Sequence, residues 1–295
     1  MNAFTVASPK QRVARSSWRR KVFSFFWGAP LLIWQGAFFF APLIFLIVLT
    51  FWSVRSFRVQ PDATLKNWIK ILTTEYVWSA YLRSVVLSAC CSLITTAAAF
   101  PFAYFVAFRL SMRARLFATC LLIVPFFTSY LVRVYTWRTM LGQHGAVNNL
   151  LAWIGLPAQT MTDNFFGVLV GFVTLTLPLV CLLHVLSLSY VDKRLVEAAH
   201  NLGAPPFTTV LRVIIPSART GLILGVAFAF VLSFGDFVSP DLLGGRNPPL
   251  VSLLIIDQVK GGSNWPSAAV IAMIMVITLV IVVLGASRLA YSGRK

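Results

Sequence analysis

Six strongly apolar stretches of this chain carry no Asp, Glu, Lys or Arg. They run between Lys21 and Arg55, Arg83 and Arg109, Arg115 and Arg133, Asp163 and Asp192, Arg219 and Asp236, and Lys260 and Arg288. In hydrocarbon every backbone N–H and C=O must find its partner inside the protein. A spanning segment is therefore a helix of about 20 apolar residues or a strand of a closed barrel. A barrel strand alternates apolar and polar residues over ~10-residue segments. "APLIFLIVLTFW" and "AAVIAMIMVITLVIVVLG" are continuous apolar runs instead. The pattern predicts an all-α, polytopic membrane protein with six transmembrane helices over 29–288, the third and fifth being the shortest. A basic tail, 1–28, precedes them and a short tail, 289–295, follows. Composition agrees, because 11% of the residues are charged where a soluble domain has about 25%.

Charge sets the expected orientation. Sixteen of the 25 Lys and Arg residues fall in the N-terminal tail, around 109–115, around 193–219 and at the C-terminus. Loops rich in Lys and Arg stay in the cytoplasm, so both termini are expected inside. Of the eight Asp and Glu residues, only Asp192 and Glu197 fall on that side. The first apolar run is long and its flanks lack a small-residue cleavage site, so it reads as a retained helix and not a signal peptide. A net charge of +17 would suggest nucleic acid in a soluble chain. Here the cations punctuate apolar runs, so topology and lipid headgroups account for them. No basic stripe interleaved with exposed aromatics is present to bind a strand. Cys90, Cys91, Cys120 and Cys181 lie within apolar runs, without metal or redox spacing, and read as small buried hydrophobes. Pro42, Pro101, Pro125, Pro178 and Pro240 fall within or at the ends of spans. They are kinks that a helix bundle tolerates when neighbours re-satisfy the freed carbonyls.

One segment is too polar for lipid and too regular for a plain connector: "VEAAHNLGAPPFTTVLRVIIP", within the loop 191–219 between spans four and five. Asp192 is placed to cap a short helix through "KRLVEAAHNL", and Gly203 to end it. Pro205 and Pro206 suit the first turn of a second helix, "FTTVLRVII", which Pro216 is expected to close. The result is a helix–Gly turn–helix on the cytoplasmic face with Glu197 exposed. Its form fits either an amphipathic interfacial hairpin or a docking element for another protein.

The same residues carry a family resemblance. "EAAHNLGAPPFTTVLRVIIP" resembles the EAA loop of the membrane subunits of bacterial ABC importers. That pattern is Glu-Ala-Ala, three residues, Gly, nine residues, Ile, any residue, Leu-Pro. Glu197, Ala198, Ala199, Gly203, Val213, Ile215 and Pro216 fall on it, with Val for Ile and Ile for Leu as apolar exchanges. The resemblance implies a type I importer permease whose loop is a coupling helix in a groove of a cytoplasmic ATPase dimer. Glu197 would be its anchor, Ala198 and Ala199 would allow close approach, and Gly203 would make the turn. This chain contains no GxxxxGK phosphate loop followed by Ser or Thr. It is accordingly expected to be no enzyme and to bind no cofactor, with ATP and Mg²⁺ held by the partner.

Two further stretches narrow the resemblance. "PFFTSYLVRVYTWRTML" and "SFGDFVSPDLLGG" followed by "NWPSAA" are similar to the membrane subunits of spermidine/putrescine importers, nearest to the first-permease type. This implies a bacterial inner-membrane protein paired with a second permease as a heterodimer and supplied by a secreted binding protein. Related importers for opines, aminophosphonates and other small charged solutes share much of the pattern. A polyamine path needs carboxylates and aromatic faces. Asp236, near the outer end of span five, is the first candidate, with Asp241 close by. A carboxylate at that depth is costly unless it faces a cavity or a partner. It either serves the path or pairs with Arg133 or Arg138. Tyr135, Trp137 and Trp265 either offer π faces or anchor the headgroup belt. "LVSLLIIDQVKGG" reads as a short outer helix carrying Asp257. A stand-alone secondary transporter would need its own ion relay and often a matching second half, and neither is evident. A membrane enzyme would need a metal or nucleophile constellation, whereas His144, His184 and His200 lie far apart.

Overall fold

The structure is a computed structural model that describes residues 29–55, 58–245, 248–262 and 264–292. The expected basic tail, 1–28, lies outside the described residues. Helix α1 is Ala29–Leu49. A small hairpin follows, β1 Ser53–Arg55 with β2 Arg58–Gln60, antiparallel with Val54 opposite Val59. Next come α2, Lys66–Thr73, and α3, Glu75–Phe108. Helix α4 is Met112–Ile123, continued by a 3₁₀ turn Val124–Phe127, and then α5 is Tyr130–Leu141 and α6 Ala146–Trp153. Helices α7, Phe165–Ser189, and α8, Lys193–Asn201, lead to α9, Pro206–Gly235. The chain ends with α10, Val238–Leu243, α11, Val251–Lys260, and α12, Trp265–Tyr291.

Among the described residues five helices are long and apolar enough to cross a membrane, and the bent pair Met112–Phe127 and Tyr130–Trp153 passes the same test together, which makes six crossings if the pair is one span. Six spans were expected, but the third is not a straight helix. Its two halves meet at 90°. Pro125 cannot donate a backbone hydrogen bond, and Thr128 adopts an extended conformation. The Thr128 hydroxyl turns back to donate to the Pro125 carbonyl at 2.8 Å. The Arg133 guanidinium then donates to the carbonyls of Pro125, at 2.6 Å, and Thr128. A cation on the last carbonyls of a helix both fills them and opposes the dipole.

The centre of the bundle is α3, α7 and α9, with α12 against α9. Lipid tails are as apolar as Leu, so membrane helices gain most by letting backbones approach over small side chains. Helix α3 presents such a seam along its length: Ala80, Ser84, Ser88, Cys91, Ser92, Thr95, Ala99, Ala103 and Ala107 are all buried. Across it, the Thr95 and Thr176 hydroxyls lie 3.1 Å apart. Helices α7 and α9 close in the same way. A Cβ on Gly225 would come 2.6 Å from His184 Nε2, and one on Gly221 would come 2.3 Å from Ser187 Cβ.

Span five also departs from expectation. The second arm of the 191–219 loop does not end at Pro216. It runs unbroken into the span as α9, 30 residues long. The reason lies one turn earlier, where Val210–Ile214 form a π turn in which the Ile215 N–H reaches the Val210 carbonyl. The wider turn absorbs the carbonyl that a proline would leave unpaired. The same device precedes Pro42 in α1, where Gly36–Phe40 form a π turn.

Candidate functional site

The turn between α8 and α9 is built from its caps. The Asp192 side chain accepts the Arg194 N–H at 2.9 Å and starts α8. At the other end, the Gly203 N–H donates to the His200 carbonyl at 2.9 Å, and the Ala204 N–H to the Ala199 carbonyl at 3.0 Å. That paired closure requires a left-handed residue, and Gly203 supplies it with φ 76°. Pro206 opens α9 at its first position, where no N–H is needed. The short helix α8 thus meets the start of the long α9 at a glycine turn, where the Gly-Pro pattern places it.

What this turn presents is mixed. Glu197 and Ala198 are exposed and Ala199 half-buried. Around them stand Leu202, 88% exposed, Phe207, 74% exposed, and Leu195. Val213, Ile215 and Pro216 lie along the start of α9, the first two half-buried and Pro216 exposed, with Ile214 between them buried against α3 and α7 residues including Val106 and Leu188. An exposed carboxylate on the same capped turn as exposed large apolar side chains has the chemistry of a protein-docking surface.

The second candidate lies at the far end of α9. The helix stops at Gly235, and Asp236, 8% exposed, follows at the break. Its Oδ1 accepts the Val238 N–H at 2.9 Å; Oδ2 accepts the Ser239 N–H at 3.3 Å and the Tyr130 hydroxyl. The Tyr130 oxygen is also 2.6 Å from Ser239 Oγ, and the Ser252 hydroxyl donates to the Asp236 carbonyl at 2.9 Å. The Asp236 carboxylate therefore joins the end of α9 to α10 and to the first residue of α5, and its backbone carbonyl holds α11. Small residues let α10 come this close: a Cβ on Gly171 of α7 would lie 2.4 Å from Ser239 Oγ. The alternative pairing with Arg133 or Arg138 does not form. Arg133 donates to the carbonyls of Pro125 and Thr174, and Arg138 to the Leu242 carbonyl at 2.6 Å.

The other sequence candidates are dispersed along this end. Asp241 is half-buried on α10, and Asp257 is exposed on α11. Tyr135 is exposed on α5 and Trp265 on the first turn of α12. Trp137 lines an open groove of about 630 Å³ between α3, α5 and α7, with Arg133, Phe166, Thr174 and Pro178 among its walls; Asp236 and Asp241 are not part of it. Tyr130 and Ser239, which hold Asp236, were missed from the sequence. A lone Tyr after "FTS" gives no local sign of a partner more than 100 residues away, and a Ser inside "DFVSPD" gives none that it will meet that Tyr.

Residues 92–292 match the family described as binding-protein-dependent transport system inner membrane component. The chain is 31% identical over 255 residues to the spermidine/putrescine transport system permease protein PotB of Escherichia coli K12, covering 83% of this chain and 90% of that one. It is 28% identical over 286 residues to the inner membrane ABC transporter permease protein YdcU of the same organism, covering 88% and 90%. Among solved structures, a chain of a bacterial ABC transporter involved in the import of the acidic polysaccharide alginate superimposes with a TM-score of 0.76. That match covers 96% of this chain and 99% of that one at 17% identity, a likeness of fold.

Proposed function

This chain belongs to the binding-protein-dependent transport system inner membrane components, the permeases of ABC transporters, and from that premise we propose that it admits a polyamine, spermidine or putrescine, driven by a partner's ATP. The observation that carries the coupling half is the α8–α9 turn, an exposed Glu197 with exposed Leu202 and Phe207 on the same capped turn. Such a surface needs a protein to cover it, and the absence of a phosphate loop from this chain makes an ATPase dimer, with its ATP and Mg²⁺, the fitting partner. In this reading the α8–α9 turn and both termini face the cytoplasm, as the Lys and Arg count indicates. A second permease completes the path as a heterodimer, and a binding protein delivers solute to the opposite face.

The substrate half rests on the likeness to PotB and on the carboxylates Asp236, Asp241 and Asp257 at the delivery end. Tyr135, Trp137 and Trp265 offer π faces there for ammonium groups. The test of coupling is Glu197→Arg in the whole importer. The variant is expected to reach the membrane in normal amount, to lose ATPase co-purification and to abolish uptake. Normal ATPase association and uptake in that variant would sink the coupling role.

A further inference from the structure

Nine cations escape the Lys and Arg bias that orients this protein, and four of them, Arg55, Arg58, Lys66 and Lys70, fall within 16 residues between α1 and α3. The residues between the two spans include one carboxylate, Asp62. All four cations are exposed. Arg55 and Arg58 are cross-strand neighbours in the hairpin, and Lys66 and Lys70 stand one turn apart on α2.

Helix α2 has three distinct faces. Asn67, Trp68 and Ile71 turn inward. Asn67 Nδ2 donates to the carbonyls of Thr50 and Trp52, at 3.0 and 2.8 Å, at the end of α1. Ile71 is buried and Trp68 packs beside it, against Val77, Phe234 and Ile271. Leu65, Ile69 and Leu72, spaced i, i+4, i+7, form a second face that is apolar and exposed. Lys66 and Lys70 form the third. Only Thr74 separates α2 from the spanning helix α3, and Asn67 ties α2 to the end of the spanning helix α1. Helix α2 therefore lies at the level where both spans leave the hydrocarbon. Trp52 and Trp78 flank it, Trp78 donating through Nε1 to the Leu72 carbonyl at 2.8 Å, as aromatics do at a headgroup boundary.

We infer that α2 and the β1–β2 hairpin form a binding surface for anionic phospholipid headgroups, with Leu65, Ile69 and Leu72 dipping into the acyl boundary and Lys66, Lys70, Arg55 and Arg58 meeting the phosphates. An apolar stripe beside a basic stripe, lying in the interface plane, is the pattern that binds such surfaces. A polyamine cation would be repelled by this cluster, so it is no part of the substrate path. The surface also lies outside residues 92–292, the part shared with the family description. The inference requires only that α1 and α3 are consecutive spans. It stands whether or not the transported solute is a polyamine.

The test uses the full chain in vesicles of phosphatidylethanolamine with either phosphatidylglycerol or phosphatidylcholine. A nitroxide on Ile69→Cys, in a background where Cys90, Cys91, Cys120 and Cys181 are replaced by Ser or Ala, is expected to be open to oxygen and shielded from a water-soluble nickel chelate. The purified chain is expected to retain phosphatidylglycerol over phosphatidylcholine in native mass spectrometry. Lys66→Gln with Lys70→Gln should lower that retention by about tenfold, the scale of basic side chains at an anionic surface. Lys260→Gln, exposed on α11, should leave it unchanged. A nitroxide open to the nickel chelate would overturn the proposal. So would shielding that arises only when a second permease is co-expressed, which would give the face to a protein. Equal retention of phosphatidylglycerol by the double variant would overturn the headgroup site.

Discussion

The Asp236 carboxylate is asked for geometry and for charge at once, and the two are separable. Its oxygens hold two backbone N–H groups of α10 and the Tyr130 hydroxyl. Asn is the same size; its carbonyl still accepts the Val238 N–H and its NH2 can donate to the Tyr130 oxygen, and only the long bond from the Ser239 N–H, at 3.3 Å, loses its acceptor. Asp236→Asn is therefore expected to insert at the normal level. If the negative charge draws the cation, spermidine uptake by the whole importer should fall by about tenfold or more. Unchanged uptake would assign the carboxylate to holding α10 alone. This residue was findable in the sequence because a carboxylate at the end of an apolar run is costly and rare. Its partners were not, since Tyr130 reads like any belt aromatic until the break in span three turns it inward. Arg133 was equally opaque. Its task of filling the carbonyls of Pro125 and Thr174 exists only once the helix has broken.

At the scale of elements, the α8–α9 turn is the sharpest case. Gly203 has φ 76°, and a Cβ there would meet nothing within 4 Å. The cost of Gly203→Ala is therefore the backbone penalty of the left-handed region, about 1–2 kcal/mol. It should open the angle between the arms without disturbing the bundle. Uptake and ATPase co-purification should both fall several-fold. Gly203→Asn should fall less, because Asn enters that region more readily. Equal behaviour of both variants and the unaltered chain would mean that the angle does not matter. This turn was legible because its signals are local: a capping Asp, a Gly, two Pro. The breadth of α9 was not. A proline's effect depends on whether its freed carbonyl finds relief, and a π turn at Val210–Ile214 provides it without any residue that announces it. The helix that carries Pro125 instead ends three residues on, at the extended Thr128, where the Thr128 hydroxyl and Arg133 fill the exposed carbonyls.

For the whole molecule, the candidate crossings were legible in the windows that are both charge-free and strongly apolar, since a bilayer tolerates few alternatives. The docking of α10 against α7 depended on Gly167 and Gly171, whose use as contact points no local pattern declares. The proposed assembly makes a plain prediction. The chain alone in proteoliposomes should give no polyamine uptake, with or without ATP. Uptake should appear only with the second permease, the ATPase and the binding protein, and excess opine should not compete. Uptake by the chain alone would instead mark a secondary transporter. The unbroken course of α9 has a mechanical meaning. Its 30 residues make a rod of roughly 45 Å with Phe207 at one end and Asp236 just past the other. Were the docked end to tilt this rod by about 10°, the far end would sweep roughly 8 Å. A nudge at the docked end would thus arrive at the carboxylate enlarged, to the extent that the π turn at Val210–Ile214 stays stiff.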